Sequence, residues 1–130
     1  MKPVHFIPVY IVSFFITGCF SVKTNSRFSY SKVSPAAYAA VLKDSSNIYL
    51  IDVRTAGEFK KAHFANAVNF SYLNFHFGRD VDSLDRNKLV LLYCQTCHRS
   101  PLAARKMKHM GFRKVIDLKG GFRKRLLPAD

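Results

Sequence analysis

Leu89-Val90-Leu91-Leu92-Tyr93-Cys94-Gln95-Thr96-Cys97-His98-Arg99-Ser100-Pro101 is the stretch on which the fold turns. Its first five residues are an unbroken apolar run, the pattern of a central parallel strand covered on both faces. Ser100-Pro101 opens a helix that runs to Met110, and Gly111 sits where a helix commonly ends. A strand, a short polar loop and a helix therefore follow one another without a linker.

Outward from this unit, strand and helix alternate. Upstream, Ile48 to Val53 is a short β-branched run bounded by polar residues, Thr55 to Ala62 has helical spacing around Phe59, and Ala67 to Phe70 is a second short strand. Ser71 to Lys88 is polar and irregular with weak helical character. Downstream, Val115 to Leu118 reads as a strand, Gly120-Gly121 as a tight turn and Phe122 to Leu127 as a short helix. Ser34-Pro35 is a helix start with Tyr38, Val41 and Leu42 at helical spacing, ending around Asp44 to Asn47. This alternation predicts an α/β domain with a mainly parallel central sheet flanked by helices. The chain has 130 residues, 48% of them hydrophobic and 14% aromatic, which excludes a disordered chain and leaves room for one domain but not two catalytic ones.

In open parallel sheets, ligands bind beyond the carboxyl ends of the strands. Cys94 to Arg99 lies there, and a short loop before a helix N-terminus turns backbone N–H groups toward an anion. With Arg99 nearby, such surroundings lower a cysteine pKa, so Cys94 is expected to be largely thiolate at neutral pH.

Leu91-Leu92-Tyr93-Cys94 through Arg99-Ser100, followed by a helix, Gly111-Phe112, Val115, Leu118 and Gly120-Gly121, resembles the second half of a single-domain rhodanese of the thiosulfate sulfurtransferase type. Ile51-Asp52-Val53-Arg54-Thr55 with Glu58-Phe59, His63-Phe64 and Ala67-Val68-Asn69 resembles that family's first signature. The resemblance covers about residues 33 to 126 and implies a five-stranded rhodanese-like sheet. It also implies a reaction: Cys94 attacks the outer sulfur of an anionic donor such as thiosulfate, sulfite leaves, and the Cys94 persulfide passes its sulfur to a thiol or cyanide acceptor. Arg99 would hold the donor, with Gln95, Thr96, Cys97, His98 and Ser100 lining the site and their amides stabilising the thiolate and persulfide. Asp52, Arg54, Glu58 and His63 would order the loops around the pocket. No cofactor is implied. Four residues separate Cys94 from Arg99, whereas related phosphatases resemble a loop with one more, and the shorter loop favours sulfur.

The sequence departs from the family pattern, which has Gly at the positions of Cys97, Ala62 and Asn66 and Trp at that of Arg125. Asn66 accepts positive φ at low cost but Ala62 does not, so the loop there is expected to differ locally. Cys94-x-x-Cys97 also reads as a dithiol, with Cys97 as a possible resolving thiol. Two Cys and His98 lack the second half of a zinc site, so no metal is expected. Besides sulfur transfer, the sequence leaves open a dithiol–disulfide oxidoreductase using Cys94 and Cys97, or a non-catalytic tethered binding module.

Met1 to His5 carries Lys2, Phe6 to Ile16 is almost wholly apolar, and Ile16-Thr17-Gly18-Cys19 resembles a bacterial lipobox. Residues 1–18 are expected to be a signal peptide, Cys19 a lipidated membrane anchor, 19–32 a tether and 33–130 the domain. An uncleaved span is disfavoured because Pro8, Ser13, Thr17 and Gly18 interrupt a segment already short for one. The expected location is exported and membrane-anchored, facing the periplasm of a bacterium. The net charge of +13 survives loss of a single lysine with the signal. In that compartment it points to anionic lipid and small anionic substrates rather than nucleic acid.

Overall fold

In the computed structural model, residues 27–44 and 46–124 are described. Five strands, β1 (Ser29–Val33), β2 (Ile48–Asp52), β3 (Val68–Asn69), β4 (Leu89–Tyr93) and β5 (Lys114–Leu118), form one sheet in the order β1-β5-β4-β2-β3. Every pairing is parallel. Helices α1 (Pro35–Asp44), α2 (Ala56–Lys61), α3 (Phe77–Asp80) and α4 (Arg99–His109) make the connections, and a 3₁₀ turn follows at Phe122–Lys124.

The apolar run at 89–93 sits at the centre because both of its faces are covered. Alternate side chains go to opposite faces: Val90 and Leu92 pack with Ala103, Ala104 and Met107 of α4, while Leu91 and Tyr93 pack with Tyr38 of α1 and Phe122. Helix α1 starts as Ser34-Pro35 implied, with the Ser34 hydroxyl accepting from the Ala37 amide at 3.3 Å. Its Tyr38 hydroxyl reaches over the sheet and donates to the Leu92 carbonyl at 3.2 Å.

The fifth strand corrects the expected tether. Residues 29–32, assigned to the 19–32 linker, pair in register with 114–117. Ser29-Tyr30-Ser31-Lys32 is polar and exposed, so it carries no burial pattern, and only backbone pairing along the sheet edge makes it a strand. A second correction concerns Ala62, whose φ of −168° is extended backbone open to any residue; the left-handed position in that loop is Asn66 at φ 62°. The helix expected over 122–127 is a 3₁₀ turn as far as Lys124. The signal peptide, Cys19 and Arg125 lie outside the described residues. Among the described residues no helix is long and apolar enough to cross a membrane.

Candidate functional site

Parallel strands deliver their carboxyl ends to one edge, and here β2, β4 and β5 all end at the edge where the loop 94–98 lies. Strand β4 ends at Tyr93, α4 begins at Arg99, and the five residues between curl around the Cys94 sulfur. The Cys97 amide donates to Cys94 Sγ at 3.0 Å and the Ser100 hydroxyl at 3.4 Å. Burial pushes the Cys94 thiol up, but the Ser100 hydroxyl and the amides of Ser100, Arg99 and Thr96 outweigh it and hold the thiol below its ordinary value. These donors stabilise charge on sulfur more than they stabilise the neutral thiol.

Cys97 supplies its amide at a cost. Its φ of 119° lies where side chains are rarely tolerated, and Gly has no such penalty. Cys97→Gly is therefore expected to stabilise the protein by about 1 kcal/mol while leaving the amide that faces Cys94. Thermal melts of the two proteins check this, and an unchanged or lower midpoint would show that the Cys97 side chain contributes packing that offsets the strain. Both Cys94 and Cys97 are free thiols in this structure.

Arg99 lies at the start of α4, but its fork is occupied. Nη1 and Nη2 donate to Glu58 Oε2 and Oε1 at 2.6 and 2.8 Å, a bidentate pair that ties α4 to α2. Glu58 is held there because Thr55 and Glu58 form a capping box at the start of α2. The Arg99 guanidinium holds the Glu58 carboxyl at about 2, against 4.5 for the free group. A carboxyl lowered in the fold stabilises it above the unfolded value, and that contribution disappears as pH falls from 4.5 through about 2. Solvent reaches both side chains, so the loss should be only about 1 kcal/mol. Acid titration of the melting temperature should show it in the parent and not in Glu58→Gln, which keeps the cap but has no carboxylate to protonate. Equal acid losses in both would assign the effect elsewhere.

Arg54 joins three segments. Its carboxylate partner is the wholly buried Asp52, with Nη2–Oδ2 at 2.6 Å. Nη2 also donates to the Ala62 carbonyl at 2.7 Å and Nη1 to Gln95 Oε1 at 3.1 Å. The guanidinium lies 4.0 Å from the Phe122 ring centre. A cleft of about 330 Å³ opens beside it, lined by Arg54, Glu58, Lys61, Ala62, Gln95 and Phe122. His63 stands apart, exposed and stacked on Phe59 with centroids 3.8 Å apart. His98 is exposed too, with Nδ1 3.1 Å from Thr96 Oγ1.

Sequence reasoning missed Lys61 and Phe122 at the cleft and Gly121 beneath the loop. The Phe122 amide donates to the Cys94 carbonyl at 2.7 Å and the Arg123 amide to the Gln95 carbonyl at 3.1 Å, so the turn after β5 carries the back of the loop. The Gly120-Gly121 pair was legible as a turn, but nothing local indicated what it would hold. Asp117, buried in β5 behind Ser100, was also missed, although an acid inside the apolar run 115–118 was a signal of it.

The Rhodanese-like domain family matches residues 34–125. The chain is 30% identical over 95 residues to YrkF of Bacillus subtilis (strain 168), spanning 73% of this chain and 50% of that protein. It is 30% identical over 99 residues to the adenylyltransferase and sulfurtransferase UBA4 of Candida albicans, spanning 72% of this chain and 23% of the relative. The chain thus covers half or less of the length of these two relatives. A crystal structure of a rhodanese-like domain protein from Staphylococcus aureus superposes with a TM-score of 0.66 at 17% identity, over 76% of this chain and 94% of that one, and shows the same fold. The five-stranded parallel sheet, the Cys94 loop at its carboxyl edge and the match over most of the chain agree: this protein belongs to the rhodanese-like domain family.

Proposed function

We propose that this chain is a sulfurtransferase in which Cys94 carries the transferred sulfur as a persulfide. The observation that carries the reading is the Cys94 sulfur itself, buried at the base of its loop with N–H and O–H donors converging on it. A binding module has no need of a lowered thiol. In the proposed step the Cys94 thiolate attacks the outer sulfur of thiosulfate, the S–S bond of the donor breaks, and sulfite leaves with the bonding pair. An acceptor thiolate then takes the outer sulfur and returns Cys94 to the thiolate. The sulfurtransferase name borne by UBA4 supports this chemistry.

With the Arg99 fork on Glu58, the proposal gives the anionic donor a shared rather than a free guanidinium, with Lys61 as an additional cation lining the cleft. Intact-mass measurement after thiosulfate treatment tests the reading. The expected product is one sulfur atom heavier, loses that atom to a thiol acceptor, and is not formed by Cys94→Ser. An unchanged mass with a reactive Cys94 would favour the dithiol oxidoreductase instead, which requires Cys97 as well.

The same proposal places the domain at a membrane through acylated Cys19. Cys19→Ala should release the protein from membranes without altering sulfur transfer, and continued membrane partition of that variant would replace the lipid anchor with an uncleaved apolar segment.

A further inference from the structure

Asp117 lies in β5 on the face that Val115 presents to α4, with Leu92 of β4 as its register neighbour. It has no solvent exposure. From β1, the Tyr30 hydroxyl donates to Asp117 Oδ2 at 2.7 Å, whereas Oδ1 has no hydrogen-bond partner. From α4, the Ser100 hydroxyl lies close enough to Asp117 to favour its charged form, yet it donates to Cys94 Sγ, 3.4 Å away. Ser100 has one hydroxyl proton and two acceptors competing for it.

A buried carboxylate oxygen without a donor is costly. The cost disappears if that oxygen is itself the donor. We propose that Asp117 is a positioning residue whose carboxyl carries its proton on Oδ1, donates to Ser100 Oγ and so commits the Ser100 hydroxyl proton to the Cys94 sulfur.

The groups facing Asp117 fit a neutral carboxyl. Tyr30 donates to the carbonyl oxygen and Leu92 adds no charge; Lys32, paired with Asp117 in the β1–β5 register, is the charged group that favours ionisation, and the Leu118 amide favours it as well. Burial is the largest influence and pushes the carboxyl upward, ahead of Ser100, Tyr30 and Lys32, which lower it. The inference rests on Cys94 acting as a thiolate nucleophile, but its test reads the thiolate and not the transfer of sulfur.

The experiment follows iodoacetamide alkylation at Cys94, identified on its peptide by mass, as a function of pH in the full chain. Asp117→Leu removes the donor at similar volume and frees the Ser100 hydroxyl to turn its proton to a carbonyl of its own helix, so it should raise the alkylation midpoint by about one pH unit, slowing reaction about tenfold below it. Asp117→Asn keeps an N–H donor and should leave the midpoint near the parent's. In a Ser100→Ala background, Asp117→Leu should add nothing, because the coupling runs through the hydroxyl. The opposite sign overturns the proposal: an ionised Asp117 repels the thiolate, so Asp117→Leu and Asp117→Asn would both lower the midpoint. A midpoint unmoved by Asp117→Leu overturns it as well. Should Asp117→Leu fail to fold, Asp117→Asn still decides by the sign of its shift. A parent that alkylates as expected but takes up no sulfur from thiosulfate would fail the proposed function and leave this inference standing.

Discussion

Cys94→Ser is expected to reduce sulfur transfer from thiosulfate by on the order of 10⁴-fold or more while leaving the fold in place. Removing a nucleophile costs this much because, in the proposed reaction, no other group would form the covalent intermediate. A serine hydroxyl is not ionised near neutral pH, and the donors around Cys94 Sγ that hold the thiol below its ordinary value cannot bring an alcohol into range. The loop should survive because it is held from outside the sulfur. The Phe122 and Arg123 amides clamp the carbonyls of Cys94 and Gln95, and Arg54 holds the Gln95 side chain. The hydroxyl also still accepts from the Cys97 amide. A steady-state rate beside a thermal melt separates the two quantities. If the variant keeps a tenth of the parent's rate, Cys94 is not the sulfur carrier; if the melt collapses, the sulfur atom itself supports the loop.

Gly121→Ala is expected to cost about 2–5 kcal/mol of stability and most of the sulfur-transfer activity. Two penalties add. Gly121 has φ 64°, where an L-residue costs about 1–2 kcal/mol. Its added Cβ would also lie 2.5 Å from the Cys94 carbonyl oxygen and 2.7 Å from the Gln95 backbone, and overpacking of this kind costs about 1–3 kcal/mol. Because the obstructing atoms are backbone, relief requires the Cys94 loop to move, which disturbs the amides aimed at the sulfur. Denaturant unfolding measures the first effect, and the Cys94 alkylation rate the second. A variant with parental stability and parental alkylation would mean that the turn after β5 gives way without shifting the loop. Gly120→Ala is a useful contrast, because there the Cβ meets the Lys124 side chain. Its effect should be confined to stability.

The contrast between these glycines also shows how the sequence and the structure divide the explanation. The run 89–93, the loop 94–98 and the helix that follows are contiguous, so their geometry is dictated by local terms: an apolar run long enough to be buried on both faces, then a helix N-terminus that directs amides at whatever precedes it. The cysteine at that junction was therefore legible as a candidate nucleophile, and the alternation of strand-like and helix-like segments was legible as an α/β domain. Strand β1 was not, because an exposed edge strand has no buried face to impose a period on Ser29-Tyr30-Ser31-Lys32.

What the tertiary structure alone decided are the partnerships across the chain. Arg99 and Glu58, 41 positions apart, are brought together because β2 and β4 are parallel neighbours whose carboxyl ends lead into α2 and α4 at the same edge of the sheet. Tyr30 meets Asp117 across 87 positions because β1 pairs with β5 and not with the strand that follows it. Arg54 reaches Gln95 because β2 and β4 are neighbours in register. Residue types and spacing determine which side chains can ionise, donate or attack, since those are properties of the groups and of nearby backbone. Which of them meet depends on strand order and on the register of parallel pairs, and these are settled only when the whole sheet closes its two cores at once.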